Sequence, residues 1–142
     1  MKSIIILGKG KSALRCTKDY VLKHDIISAC NFPIIKDYPN NFPYKIDWHY
    51  RNNDCNNFEK EEFEKLGISK VISTDIRNIA NHYLCHYNVE YEYPNIANET
   101  YEKHGFYPST GTQALINCID IGFEKISMVG FDLFEKGCGG YP

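Results

Sequence analysis

The sequence of 142 residues contains no apolar run long enough to cross a membrane. Its most hydrophobic stretch, residues 4–7, is interrupted by Gly8. The stretch is also too short for a signal peptide, and the polar segment Gly-Lys-Gly-Lys follows it at once. We therefore expect a cytoplasmic protein.

The sequence also lacks an excess of charge of either sign. Its 16 Lys and Arg residues are offset by 18 Asp and Glu residues, which leaves a net charge of −2. This balance argues against a nucleic-acid-binding protein and against a polybasic membrane patch, but it allows a small cationic pocket. Because apolar residues make up 43% of the chain, we expect one packed domain over residues 1–142.

Cysteine pairs with regular spacing are missing as well. The six cysteines are scattered, and without a secretory signal we expect free thiols rather than disulfides. His82, Cys85 and His86 share a predicted helix face, but the sequence places no fourth ligand near them, so we predict no metal site.

Strand-like and helix-like segments alternate along the chain. Strands are predicted over residues 3–7, 25–30, 45–50, 70–73, 89–93 and 125–129. Helices are predicted over residues 13–23, 58–66, 74–83 and 109–121, and residues 95–107 are left unassigned. This order predicts an α/β fold with an open, mostly parallel sheet.

The side-chain pattern predicts which residues pack inward. In the third strand, residues 46, 48 and 50 are expected on one side. The inward helix positions are Leu14, Tyr20, Val21, Ala114, Leu115, Cys118 and Ile119. The tyrosines at positions 91, 93, 101 and 107 are expected to serve packing rather than to stack on a base.

Two glycine-containing segments are candidate binding loops. Gly8 and Gly10 follow the first strand, but Ile5 stands where a P-loop needs its first glycine, so the ATPase interpretation is rejected. The loop is then either a tight turn or a place where backbone amides approach a phosphate or ribose. Lys9 and Lys11 beside it are either phosphate contacts or surface residues.

The second segment, Ser109-Thr110-Gly111, opens a predicted helix. One of the two hydroxyls can be the N-cap, or the helix start can bind an anion or a carboxylate. Both segments are predicted beyond the carboxyl ends of parallel strands, where such sheets bind ligands. Together they favour a nucleotide-type ligand.

Two blocks of the sequence resemble the bacterial lipooligosaccharide sialyltransferases. The first is the strand with Gly8-x-Gly10-x-Ser12, followed by Cys30-Asn31. The second runs from Ser109-Thr110-Gly111 to Val129-Gly130-Phe131-Asp132, and it also resembles the sialyl motif of animal sialyltransferases. The resemblance implies a Rossmann-like sheet with helices on both faces. It also implies metal-independent, inverting transfer from a CMP-sugar such as CMP-sialic acid to a glycan hydroxyl, with no further cofactor.

The resemblance also implies a set of donor-binding residues. Glycines 8 and 10 would approach the phosphate and ribose, and Asn31 would bind the phosphate or the cytidine. Residues 109–111 would contact the sugar carboxylate. Residues 130–132 would line the cytidine side. The implied positions are Gly8, Lys9, Gly10, Ser12, Asn31, Ser109, Thr110, Gly111, Gly130, Phe131 and Asp132.

The sequence departs from the family pattern at several positions. Lys9 and Lys11 replace an asparagine and a proline, and Phe134 stands where the family carries a phosphate-binding tyrosine. The family's general base is a histidine in a later lid segment, and no histidine follows His104 here.

The catalytic residues therefore stay unassigned. Tyr141 and His104 are candidates, and His49 is a second histidine that could act as a base. We expect little or no transfer by this chain alone, unless a partner subunit, a second copy included, supplies the base. The alternative is a non-enzymatic α/β binding module, which an acidic or apolar plug between Gly10 and Ser109 would favour.

Overall fold

The computed structural model describes residues 2–8, 10–31, 45–51, 66–74 and 90–131. These residues form one sheet of six strands in the order β5-β4-β3-β2-β1-β6, with every neighbouring pair parallel. The strands are β1 (Ser3–Leu7), β2 (Ile26–Cys30), β3 (Trp48–Arg51), β4 (Lys70–Ser73), β5 (Glu90–Glu92) and β6 (Lys125–Val129). The predicted open, parallel α/β fold is confirmed.

The first predicted helix, over residues 13–23, is two separate pieces. A 3₁₀ helix covers Lys11–Arg15, and the α-helix α1 covers Lys18–Leu22. The break occurs because Thr17 adopts an extended conformation and its hydroxyl accepts a hydrogen bond from the Tyr20 amide at 3.2 Å, which caps a new helix. Tyr20, expected to be inward, lies at the surface, whereas Val21 is buried.

Two further helices precede β6. The helix α2 (Ile96–His104) occupies the segment that the sequence left unassigned, and α3 (Thr110–Ile121) is the predicted last helix. Ser109 is the N-cap of α3, and Gly122 ends it in the left-handed conformation with φ of 98°. The predicted boundaries of α3 are confirmed at both ends.

The main core lies between α3 and one face of the sheet. Its buried residues are Ile4, Ile6, Cys30, Tyr50, Ile72, Ala114, Cys118 and Phe123. The Tyr50 hydroxyl donates a hydrogen bond to Asn117 Oδ1 at 2.7 Å, which ties the helix to the central strand β3. Ile119, expected to be inward, is 58% exposed, because each residue turns the helix by about 100° and the sheet-facing positions are taken by residues 114, 117 and 118.

The opposite face of the sheet carries α1. His24, which follows α1, places Nε2 2.8 Å from Ser127 Oγ on β6, and Ser127 pairs in register with Ile5. Helices therefore lie on both faces, as expected. Of the helices predicted over residues 58–66 and 74–83, all residues except Leu66 and Thr74 lie outside the described residues.

Burial corrects the interpretation of β3. The alternating pattern predicts Ile46, Trp48 and Tyr50 on one side; Ile46 and Tyr50 are buried and Trp48 is half-buried. His49 and Arg51, on the other side, are buried as well, because this central strand is covered on both faces. Arg51, which follows the strand predicted over residues 45–50, is the last residue of β3.

Several smaller expectations can also be checked. Cys16, Cys30 and Cys118 are free thiols. The strand predicted over residues 89–93 is β5, an edge strand of the described sheet whose residues are exposed or half-buried. Within the described ranges, no helix has the length and apolar character needed to cross a membrane. Residues 82, 85 and 86 fall outside those ranges.

Candidate functional site

The parallel sheet collects several predicted residues at one edge. Gly8, Asn31 and Gly130 follow the carboxyl ends of β1, β2 and β6, and parallel strands present these ends on the same side. The helix α3 leads into β6, so its N-terminus points to the same edge. We call this region the carboxyl edge.

The loop after β1 is hydrogen-bonded to the end of β6. The Gly8 amide donates to Val129 O at 2.7 Å, and the Gly10 amide donates to Gly130 O at 2.7 Å. The Gly130 amide in turn donates to Ser12 Oγ at 3.0 Å. These bonds continue the β1–β6 ladder past the strand ends. The amides of Gly8 and Gly10 are therefore not available to a phosphate in this conformation.

Gly8 and Gly130 also lie too close together for larger residues. A Cβ added at Gly8 would lie 2.5 Å from Gly130 O, and one added at Gly130 would lie 2.7 Å from Gly8 O. Gly130 also has a φ of +85°, which L-residues rarely adopt. Of the two interpretations of the first glycine loop, the tight structural turn accounts for the contacts of Gly8.

Phe131 joins this loop to the start of α3. A Cβ added at Gly111 would lie 2.5 Å from Phe131 Cε1, and one added at Gly8 would lie 3.0 Å from the same atom. The half-buried ring thus lies against the loop after β1 and against the first turn of the helix. The two glycine-containing segments, far apart in sequence, are neighbours in the fold.

The first turn of α3 has backbone donors directed at the carboxyl edge. Ser109 Oγ accepts a hydrogen bond from the Thr112 amide at 3.3 Å, so Ser109 serves as the helix cap. The amides of Thr110 and Gly111 have no intrahelical acceptor at this position, and neither residue has a hydrogen bond through its amide to another described residue. With the helix dipole, they make this helix start suitable for a negatively charged group.

Asn31 lies at the same edge in a conformation that is uncommon for a side-chain-bearing residue. Its φ is 56°, in the left-handed region that asparagine tolerates better than most residues. Its amide donates to Tyr50 O at 2.9 Å, which fixes the backbone at the end of β2.

Arg51 and His49 are buried groups whose position the sequence did not indicate. Arg51 is fully buried at the carboxyl end of β3. Burial, and then the charge of Arg51, lowers the pKa of His49 well below its usual value, while a backbone hydrogen bond at Asn31 opposes this shift. The sequence does not predict the burial of Arg51, because the polar residues that follow it are typical of an exposed loop. The burial results from packing between segments that are distant in sequence.

Two of the three candidate bases, His49 and His104, lie within the described residues. His49 is buried, so it is out of reach of an acceptor in this conformation. His104 is exposed at the end of α2, with its ring centroid 6.3 Å from that of Phe106. Tyr141, like Lys9, Asp132 and Phe134, lies outside the described residues, as does the side chain of Lys11.

The lowered pKa of His49 predicts a pH-dependent stability. Because the unfolded state binds the proton near the ordinary pKa of about 6.5, the free energy of unfolding should fall as the pH drops below that value, by up to about 1.4 kcal/mol per pH unit. Urea unfolding between about pH 5 and pH 8 measures this slope. His49→Gln should reduce the slope by the contribution of one proton, and equal slopes in the two proteins would contradict the assignment.

Comparison with known proteins gives an informative likeness in fold. No protein-family model matches the sequence, and no curated protein matches it. The fold is similar to that of the sialyltransferase CstII from Campylobacter jejuni, solved in complex with a substrate analogue, cytidine-5′-monophosphate, with a TM-score of 0.63 at 14% sequence identity. The match covers 98% of this chain and 65% of the neighbour, so the chain spans less than two thirds of that protein. The chain therefore has a sialyltransferase-like α/β fold.

Proposed function

We propose that residues 1–142 form a sialyltransferase-like domain that binds a CMP-sugar donor of the CMP-sialic acid type at the carboxyl edge. The observation that carries the proposal is the contact, through Phe131, between the loop after β1 and the first turn of α3. It joins two predicted donor-binding segments at the edge where parallel sheets bind nucleotides. The likeness to a sialyltransferase solved with cytidine monophosphate supports it.

The chemistry of the donor suits the start of α3. A CMP-sialic acid carries a phosphate and a carboxylate, and the amides of Thr110 and Gly111 can donate to one of these anionic groups. In this proposal the cytidine lies on the side of Gly130 and Phe131, and Asn31 lines the other side.

The transfer step needs a group that is not identified among the described residues. An acceptor hydroxyl would attack the anomeric carbon, the bond to the phosphate of CMP would break with its electron pair, and a base would take the hydroxyl proton. Without a positioned base the rate falls by about 10²–10⁴-fold. We propose that the chain alone binds the donor and transfers the sugar slowly or not at all, and that a histidine or a partner subunit supplies the base where transfer occurs.

The non-enzymatic alternative has an observation in its favour. The Gly8 and Gly10 amides are already bonded to β6, and the apolar ring of Phe131 lies between Gly8 and Gly111. A binding module that had lost its nucleotide would keep these contacts for packing alone. Measured affinity for CMP distinguishes the two functions, because the module would have none.

We expect calorimetry to detect CMP binding, and to show that Thr110→Val weakens it by about tenfold, or about 1.4 kcal/mol. The change removes the hydroxyl at the start of α3 and places a methyl group beside the anionic ligand. Thr100→Val is the matched control, since Thr100 is equally buried on α2, within the second turn of that helix. It should leave the affinity within about twofold.

Cytidine is the second control for this experiment. It lacks the phosphate and should bind more weakly than CMP if the helix start binds the anion. No heat with millimolar CMP, or equal affinities for cytidine and CMP, would contradict the proposal.

A further inference from the structure

Three aromatic rings are exposed where α2 connects to α3. Tyr101 is 48% exposed, Phe106 53% and Tyr107 64%. The rings of Tyr101 and Tyr107 are stacked, with centroids 4.5 Å apart and planes inclined by 10°. We call Tyr101, Phe106 and Tyr107 the aromatic platform. The two tyrosines pack against each other, as expected, but at the surface.

Hydrogen bonds hold the platform in place relative to the candidate site. The Gly105 amide donates to Tyr101 O at 2.8 Å and ends α2, while Gln113 Nε2 donates to the carbonyl of the buried Pro108 at 2.9 Å. Tyr107 is two residues from the Ser109 cap, so their Cα atoms are at most about 7 Å apart. The stacked pair is therefore fixed beside the first turn of α3.

The size and chemistry of the platform restrict what it can bind. Grouped exposed aromatic rings mark a binding surface more often than single exposed apolar residues do. Three rings cover far less than the roughly 800 Å² per partner of a standard protein interface. The exposed ring of His104 lies beside Phe106, with ring centroids 6.3 Å apart. The Tyr107 ring, stacked on Tyr101 and 64% exposed, offers a flat apolar face. Such a face is complementary to a pyranose ring, which has an apolar C–H face and hydroxyl groups around its edge.

We propose that the aromatic platform binds a pyranose ring of the acceptor glycan and holds it beside the donor site. This inference rests on the proposed function, because only a donor at the start of α3 makes the neighbouring sugar an acceptor. The preformed stack of Tyr101 and Tyr107 lowers the entropic cost of binding, since the rings are already ordered against each other.

Saturation-transfer-difference NMR with methyl β-D-galactopyranoside tests the platform directly. This probe has a continuous apolar face formed by the hydrogens on carbons 3, 4 and 5. We expect transfer to be strongest at those protons. Tyr107→Leu, which keeps an apolar side chain but removes the ring, should weaken binding by about fivefold or more. Tyr107→Phe, which keeps the ring, should restore most of the binding.

Calorimetry with CMP on the same variants separates this inference from the proposed function. Unchanged CMP affinity in Tyr107→Leu, together with lost galactoside binding, supports an acceptor platform apart from the donor site. The inference is overturned if the galactoside does not bind, or if Tyr107→Leu leaves its binding unchanged. This holds irrespective of the CMP affinity. Weakened CMP binding in Tyr107→Leu also overturns it, because the ring would then contact the nucleotide. If the galactoside binds and CMP does not, the platform stands as a sugar-binding surface and the proposed donor site fails.

Discussion

Replacing Gly130 with alanine is expected to destabilise the protein by about 3 kcal/mol or more. Two effects add. The residue has a φ of +85°, where a Cβ costs about 1–2 kcal/mol. The new Cβ would also lie 2.7 Å from Gly8 O and 3.0 Å from Ala13 Cβ, and the backbone oxygen cannot rotate away as a long side chain can. The loop after β1 must therefore separate from β6.

Gly105→Ala is the matched control for this prediction. Gly105 has a similar φ of +79°, but a Cβ there meets nothing within 4 Å. Its replacement should cost only the conformational term of about 1–2 kcal/mol. Urea unfolding of both variants measures the difference, which reports the close approach of Gly8 and Gly130. Equal losses in the two variants would show that the two segments are not in contact.

The effect of Gly111→Ala is expected to depend on Phe131. Alanine favours a helix over glycine by up to about 1 kcal/mol, so in open surroundings the change would stabilise α3. Here the added Cβ would lie 2.5 Å from Phe131 Cε1 and 2.9 Å from Cδ1. We expect the single variant to lose about 1–3 kcal/mol because the ring must move.

Phe131→Leu should reverse the sign of the Gly111→Ala effect. A leucine lacks the distal ring atoms that lie against Gly111, so the alanine should then be neutral or stabilising. The double-mutant cycle should give a coupling free energy of about 1–3 kcal/mol between the two positions. Gly8→Ala provides the contrast, because its Cβ would lie 2.5 Å from a backbone oxygen, Gly130 O, which Phe131→Leu does not remove. Additive effects at Gly111 and Phe131 would refute the contact that joins the two binding segments.

The elements that the sequence predicts well carry local signals. The bounds of β1 and β6 follow from apolar runs next to glycine or polar residues, and the ends of α3 follow from Ser109 as cap and Gly122 as stop. In contrast, α2 buries only Ile96 and Thr100, which is too few residues to produce a helical apolar pattern.

The features of the site that sequence reasoning missed depend on contacts between distant segments. The topology of a parallel sheet predicts that both glycine segments reach one edge. It does not predict that the Gly8 and Gly10 amides bond to the end of β6, because nothing near them in sequence indicates that partner. Arg51 likewise follows a strand pattern and precedes polar residues, and only the fold reveals its burial.

Amide chemical-shift mapping during a titration with CMP tests the central claim most directly. The nucleotide is expected to shift the amide signals of Thr110 and Gly111 most strongly, together with those of Asn31 and Phe131. The signals of Glu124 and Lys125, at the amino end of β6, should stay in place because they lie at the opposite edge of the sheet. Shifts confined to that opposite edge, or no shifts at millimolar CMP, would contradict a nucleotide site at the carboxyl edge.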